Sequence, residues 1–203
     1  MDKYVIQEIS GYRSFLDTLC SEDKVLDLGG NIGTKATECA LRGAQVMSYE
    51  PVPSNVARFQ HHISMNGLEE KISLRTELVV EAEYRGVTAV FYETIGPNQG
   101  LHTMQPTRGR KVVTYPATTI TRALQASKPT RAKVDVEGKE YDLLDALFNC
   151  ATLQYVIAEL HLQGKQRKRA RQLMRASKPG WRLVKKPNLK TKAWAALAMW
   201  KRM

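Results

Sequence analysis

Val25-Leu26-Asp27-Leu28-Gly29-Gly30-Asn31-Ile32-Gly33 is the stretch that decides the fold. Four residues that read as a buried strand run directly into glycines, and an apolar-periodic segment, Thr34–Arg42, follows and is closed by Gly43. A strand–glycine–helix junction brings backbone N–H groups to a place where a ligand can approach the chain closely. The dinucleotide pattern GxGxxG would need glycines at 29, 31 and 34, where the chain has Gly29, Asn31 and Thr34. The phosphate-loop pattern fails as well, because the position five residues after Gly29 is Thr34.

Working outward, strands and helices alternate. Strands are predicted at Val25–Leu28, Ala44–Tyr49, Lys71–Thr76, Val87–Tyr92, Val112–Tyr115, Ala132–Val136, Gln154–Leu160, Trp181–Lys186 and Ala193–Trp200. Helices are predicted at Thr34–Arg42, Asn55–Met65, Thr118–Ala126, Tyr141–Phe148 and Lys165–Ala176, with one or two helical pieces over residues 4–20 broken near Gly11. Such alternation implies an α/β fold with a mainly parallel sheet. Only about seven residues join the last two strands, too few for a crossover, so these two should pair antiparallel.

The acid-x-G-x-G-x-G pattern of methyltransferases is matched by Asp27, Gly29 and Gly33, with Asn31 at the middle glycine; Asn tolerates left-handed backbone. That pattern needs an acid at the end of the second strand, where a carboxylate accepts both ribose hydroxyls, and Glu50 stands there. Together these residues point to S-adenosylmethionine as the ligand. The cofactor set predicted from this pattern is Asp27, Gly29, Gly30, Asn31, Gly33, Glu50, Pro51, Thr76, Glu77 and Asp135.

Four segments in register resemble the FkbM family of methyltransferases. Asp27–Gly33 is similar to its DxGANxG signature, with Gly30 for the usual Ala. Tyr49-Glu50-Pro51-Val52-Pro53 is similar to F-E-P-x-P, Lys133–Glu140 to K-x-D-x-E-G-x-E, and Glu159-Leu160-His161 to E-x-H. The resemblance, over roughly residues 24–161, implies a Rossmann-like class I methyltransferase: a seven-stranded, mainly parallel sheet with an antiparallel last strand and helices on both faces; the length of 203 residues suits a single domain over 1–203. The resemblance also implies O-methylation of a sugar or another small hydroxylated metabolite. Thr119-Ile120-Thr121 departs from the family, which has an acid at the third position.

Residues at the C-terminal ends of parallel strands face the ligand crevice. Asp135 and Glu137 are expected at one such end and Glu159 and His161 at the next. Asp135 is the candidate to contact the methionine amino group or the acceptor hydroxyl, and His161 the candidate general base. Glu159 would orient that imidazole or act as the base, and Lys133, on the same strand face as Asp135, would offset the acids. Asp135, Glu159 and His161 could also ligate a metal, but their spacing is not diagnostic and none is assigned. Asn98, Gln99 and His102, in an irregular stretch over the crevice, are candidates to line the acceptor pocket.

Charge divides the chain. Residues 1–162 hold 17 Lys+Arg and 20 Asp+Glu, whereas residues 163–203 hold 14 Lys+Arg and no acid. An all-basic segment attracts polyanions. Lys165, Arg167, Lys168 and Arg169 are therefore candidate substrate contacts, and an RNA ribose or base is the alternative acceptor. A Lys-Asp-Lys-Glu set of ribose methyltransferases is not clearly matched. A third reading is a non-catalytic cofactor-binding protein. No run of about 18 apolar residues is present, so no membrane span is expected. Three scattered cysteines form no CxxC pair, and a cytoplasmic setting follows.

Overall fold

The computed structural model describes residues 11–94, 109–176, 178–190 and 193–203. Ten strands and five helices follow in the order β1 (Lys24–Leu28), α1 (Thr34–Leu41), β2 (Gln45–Tyr49), α2 (Pro53–Met65), β3 (Ile72–Arg75), β4 (Leu78–Val80), β5 (Thr88–Glu93), β6 (Lys111–Thr119), α3 (Ile120–Ser127), β7 (Arg131–Val134), α4 (Glu140–Asn149), β8 (Tyr155–His161), α5 (Gln166–Arg175), β9 (Trp181–Lys185) and β10 (Ala195–Arg202). A short helical segment over residues 11–16 precedes them.

Seven strands form one sheet in the order β3-β2-β1-β7-β8-β10-β9. β1 is parallel to both β2 and β7, β8 is parallel to β7, and β10 runs antiparallel to β8 and β9. The expected reversed terminal strand is therefore β10. Side chains alternate between two cores, as the pleat requires. Leu26, Leu28, Val156 and Ala158 face α3, α4 and the Trp181–Trp200 end, whereas Val25, Val46 and Ile157 face Tyr12, Phe15, α1 and α2. Each residue named here is at most 7% exposed.

The sequence reading missed β4, which with β6 and β5 makes a separate three-stranded sheet in the order β4-β6-β5. It also cut β6 short at Tyr115 and opened the next helix at Thr118. In the structure β6 continues through Pro116 to Thr119, and α3 begins at Ile120 with Thr119 Oγ1 accepting the Arg122 N–H. Pro116 is tolerated because β6 changes partner there. It pairs with β5 up to Pro116 and with β4 from Ala117. α5 docks through Ala170, which is fully buried, and through Leu173 and Met174, which pack against the sheet core.

Candidate active site

The sheet's topological switch lies between β1 and β7, since the chain moves from β1 to β2 on one side and later to β7 on the other. Ligands of open α/β sheets bind outside the strand ends at that point. A cleft opens there, lined among others by Gly29, Asn31, Glu50, Pro51, Glu77 and Asp135.

The glycine loop is shaped by close approach. Gly29 has φ 81°, and a β-carbon on it would stand 1.9 Å from the Asp135 carbonyl oxygen. Asn31 adopts φ 50°, the left-handed conformation expected of it. Gly30 and Gly33 are required for a different reason: side chains there would meet Ser48 and Phe59, so they pack the loop against its own fold. Gly30 is buried and does not line the cleft. Asp27 also lies behind it, 2% exposed, accepting from Ser48 Oγ at 2.6 Å and 3.2 Å from Lys133 Nζ. Its place is that of a support for the loop. Thr76 is exposed and outside the cleft lining, whereas the neighbouring Glu77 and Leu78 line it.

Glu50 is buried at the end of β2 and accepts from the Asn31 N–H (2.9 Å), the Val52 N–H (3.0 Å) and Asn55 Nδ2 (3.2 Å). Burial raises its pKa, and the bonds from Val52, Asn55 and Asn31 oppose that rise. Asn55, also on the cleft lining, carries a buried Oδ1 without a protein partner. An aligned carboxylate beside an unpaired buried acceptor suits the hydroxyl and amino donors of a nucleoside, so the residues present fit S-adenosylmethionine.

The acidic end of the cleft joins β7 to β8. Lys133 Nζ donates to the Gly29 carbonyl at 2.6 Å and lies 3.2 Å from Asp27 and 3.7 Å from Asp135. Burial would lower the pKa of this ammonium, but the Asp27 and Asp135 carboxylates outweigh burial and raise it. The predicted convergence of Asp135, Glu159 and His161 is present: one donor atom from each lies within 4.8 Å of the others. Burial and the neighbouring Asp135 charge push the Glu159 carboxyl up to about 7. Tyr12 Oη, from the segment over 11–16, donates to Glu159 at 3.3 Å.

His161 does not have the surroundings of a general base. Nδ1 is 2.5 Å from Glu140 Oε1 and Nε2 is 3.0 Å from Glu137 Oε2. Burial alone would lower its pKa, yet the hydrogen bonds to Glu137 and Glu140 overcome burial and push it up to about 11. Held between two carboxylates, the ring is biased toward its protonated form, which disfavours its taking up a further proton. Glu140, fully buried, was not anticipated as a partner; the signal was its place at the end of the Lys133–Glu140 segment. Glu137 does not cap α4. It holds φ 54° and turns to His161, while Glu140 Oε1 accepts the Gly138 N–H.

Of the basic candidates, Arg167 donates to the Leu189 carbonyl, and Arg169 pairs with Asp142 and stacks over Tyr141. These two tie α5 down, whereas Lys165 and Lys168 are exposed. Asn98, Gln99 and His102 lie outside the described residues.

The sheet order and the reversed β10 define the Rossmann-like methyltransferase fold. Over 150 residues the chain is 29% identical to the hexuronic acid methyltransferase AglP of Haloferax volcanii, a match covering 73% of this chain and 60% of that protein. The chain thus spans about 60% of its curated relative's length. A solved rRNA methylase from Streptococcus thermophilus superposes with a TM-score of 0.61 at 9% identity, covering 100% of this chain and 99% of that one. Sp1610 of Streptococcus pneumoniae, solved in complex with S-adenosyl-L-methionine, superposes with a TM-score of 0.54 at 11% identity, covering 100% and 73%. No family model matches the chain. Among the described residues no helix is long and apolar enough to cross a membrane.

Proposed function

We propose that the chain, as one domain acting in the cytoplasm, is an S-adenosylmethionine-dependent O-methyltransferase of FkbM type that acts on a hydroxyl of a sugar or similar small metabolite. The observation that carries this is the juxtaposition, across one cleft, of the Asn31–Glu50–Asn55 cradle with Asp135. The cradle suits the adenosine end of the donor, and Asp135 suits its methionine amino group or the acceptor. The similarity to a hexuronic acid methyltransferase supports a sugar acceptor.

In the transfer, the acceptor oxygen attacks the methyl carbon, the sulfur–carbon bond breaks and its electron pair stays on sulfur. The hydroxyl proton passes to a carboxylate of the acidic cluster. The chain's task is alignment and charge placement, which supply most of the acceleration in such reactions. In the ion-free chain His161 holds Glu137 and Glu140 in place.

The test is incubation with methyl-labelled S-adenosylmethionine and separate pools of metabolites, RNA and DNA. Label in hydroxylated metabolites supports the reading; donor binding without transfer to any pool leaves a cofactor-binding protein and refutes it. A second reading, RNA as acceptor, is favoured by the acid-free basic segment and its exposed Lys165, Lys168, Arg171 and Arg175. Phosphate contacts would make that binding fall steeply with salt, so methyl transfer insensitive to salt between about 50 and 200 mM excludes RNA.

A further inference from the structure

Methyl transfer alone does not require the arrangement found at the acidic end of the cleft. Asp135, at the end of β7, and Glu159 and His161, on β8, offer three donor atoms within 4.8 Å of one another. Oxygen ligands at about 2.0–2.6 Å from one hard cation stand no more than about 4–5 Å apart, so the three atoms can share one ion.

The imidazole is also aimed in advance. Glu140 is fully buried and holds Nδ1 at 2.5 Å, and it is itself fixed by the Gly138 N–H at 2.8 Å. A carboxylate behind the ring is the outer partner that metal-bound histidines carry, because it fixes the tautomer and leaves Nε2 for the ion. Here Nε2 faces Glu137 at 3.0 Å. Glu137 reaches it from a left-handed backbone at φ 54°, which a residue with a β-carbon adopts at a cost.

Charge points the same way. Four carboxylates, Asp135, Glu137, Glu140 and Glu159, surround one imidazole, and Glu140 Oε2 is buried without a hydrogen-bond partner. Lys133 lies 3.7 Å from Asp135, but this one ammonium is shared with Asp27 at 3.2 Å and with the Gly29 carbonyl.

We propose that Asp135, Glu159 and Nε2 of His161 bind one divalent cation, the ion displacing the Nε2 proton to solvent and Glu137 giving up its contact with Nε2. Two carboxylates with one imidazole form a mixed oxygen–nitrogen set that suits Mn²⁺ better than Mg²⁺. Placed beside the donor, the ion coordinates the acceptor hydroxyl oxygen and stabilises its anionic form. That last role rests on the methyl-transfer reading; the binding site does not.

The test uses the full chain stripped with EDTA and titrated with Mn²⁺ alone, following loss of the free-ion signal by electron paramagnetic resonance. One ion should bind per chain. Glu159→Gln and Asp135→Asn should each weaken it at least tenfold, and Glu140→Gln, acting through His161, by roughly 10–100-fold. Circular dichroism confirms that each variant is folded, and Glu159, being only half-buried, is the variant least exposed to that objection. Equal binding by wild type and Glu159→Gln, or none by wild type, overturns the proposal. Donor binding measured calorimetrically in EDTA separates the two readings. Methyl transfer at an undiminished rate in EDTA refutes the ion's part in the reaction and keeps the transferase. Mn²⁺ binding in a chain that binds no donor keeps the cation and refutes the transferase.

Discussion

Replacing Gly29 with alanine tests whether the loop is held by close approach or only by its backbone angle. Gly29 and Gly67 both have positive φ, 81° and 61°. A β-carbon at Gly67 meets nothing within 4 Å, whereas at Gly29 it would lie 1.9 Å from the Asp135 carbonyl oxygen and 2.9 Å from its carbon. The left-handed conformation costs an alanine about 1–2 kcal/mol at either site. Only Gly29→Ala adds overpacking, about 1–3 kcal/mol or more, because the obstructing atoms are backbone and cannot rotate away. Urea denaturation should therefore show Gly67→Ala about 1–2 kcal/mol less stable than wild type and Gly29→Ala about 2–5 kcal/mol less stable. Calorimetric titration should show donor binding unchanged in the first and lost in the second. Relief of the clash pushes the end of β7 away from β1 and opens the cleft between them. Equal destabilisation by the two alanines, or wild-type donor affinity in Gly29→Ala, would refute the close-approach argument.

Glu50→Gln removes a charged acceptor and should weaken S-adenosylmethionine by about 1.5–3 kcal/mol, roughly 10–150-fold in Kd; a change under threefold in a calorimetric titration rejects the ribose assignment. Lys133→Met leaves Asp27 and Asp135 without their shared ammonium and should destabilise the chain by about 3–5 kcal/mol, read as a lowered urea midpoint; an unchanged midpoint contradicts the bridging role. Asp23 is buried with Arg131 Nε at 2.9 Å and Thr130 Oγ1 at 2.6 Å. Burial would raise the Asp23 pKa, but the bonds from Arg131 and Thr130 prevail and hold it below the ordinary carboxylate range. Its stabilising contribution is thus complete above that ordinary range and lost as pH falls through the depressed folded-state value. Asp23→Asn should cost about 3–5 kcal/mol at pH 7. The gap between variant and wild type should close progressively below about pH 4, and a gap that stays constant with pH down to 2 argues against the pair.

Legibility followed the range of the interactions involved. The β1–glycine–α1 junction, the acid ending β2 and the reversed β10 were all readable, because each is set by a local pattern or a short connection. β4 was not, since Leu78-Val79-Val80 is three residues long and follows β3 after a two-residue gap. Such a strand exists only because β6 is there to pair with it. The end of β6 was obscured by Pro116, which ordinarily argues against a strand interior and here marks a change of partner. At the site, the residue types were visible but their protonation was not. His161 reads as a base by type. Glu140 reaches it from 21 positions earlier through the packing of α4 on β8, and that contact, with Glu137 on the other nitrogen, raises its pKa. Sequence distance hid the two carboxylates that hold its ring nitrogens.

The same cluster bears on how a donor and its spent product would be told apart. S-adenosylmethionine carries a positive sulfonium that is lost on methyl transfer, while the rest of the molecule is unchanged. Glu50, Glu77, Asp135 and Glu137 all line the cleft, and the basic groups that answer them, Lys133 beside Asp135 and His161 beside Glu137, are themselves shared with Asp27 and Glu140 outside its lining. Acids outnumber cations on the cleft lining, a balance that favours a cationic sulfonium over the neutral sulfur of the product. Because charges in a partly buried crevice are screened less than those on the surface, this difference survives at physiological salt. The basic segment after Gln163 lies on the opposite account: Arg169 and Lys178 answer Asp142 and Asp145 on α4, so part of its charge fastens α5 and the following turn to the fold. The acidic cleft and the basic surface then attract different things. The first favours a small cation within, and the exposed Lys165 and Lys168 at the start of α5 leave positive charge for whatever anionic group an acceptor carries outside it.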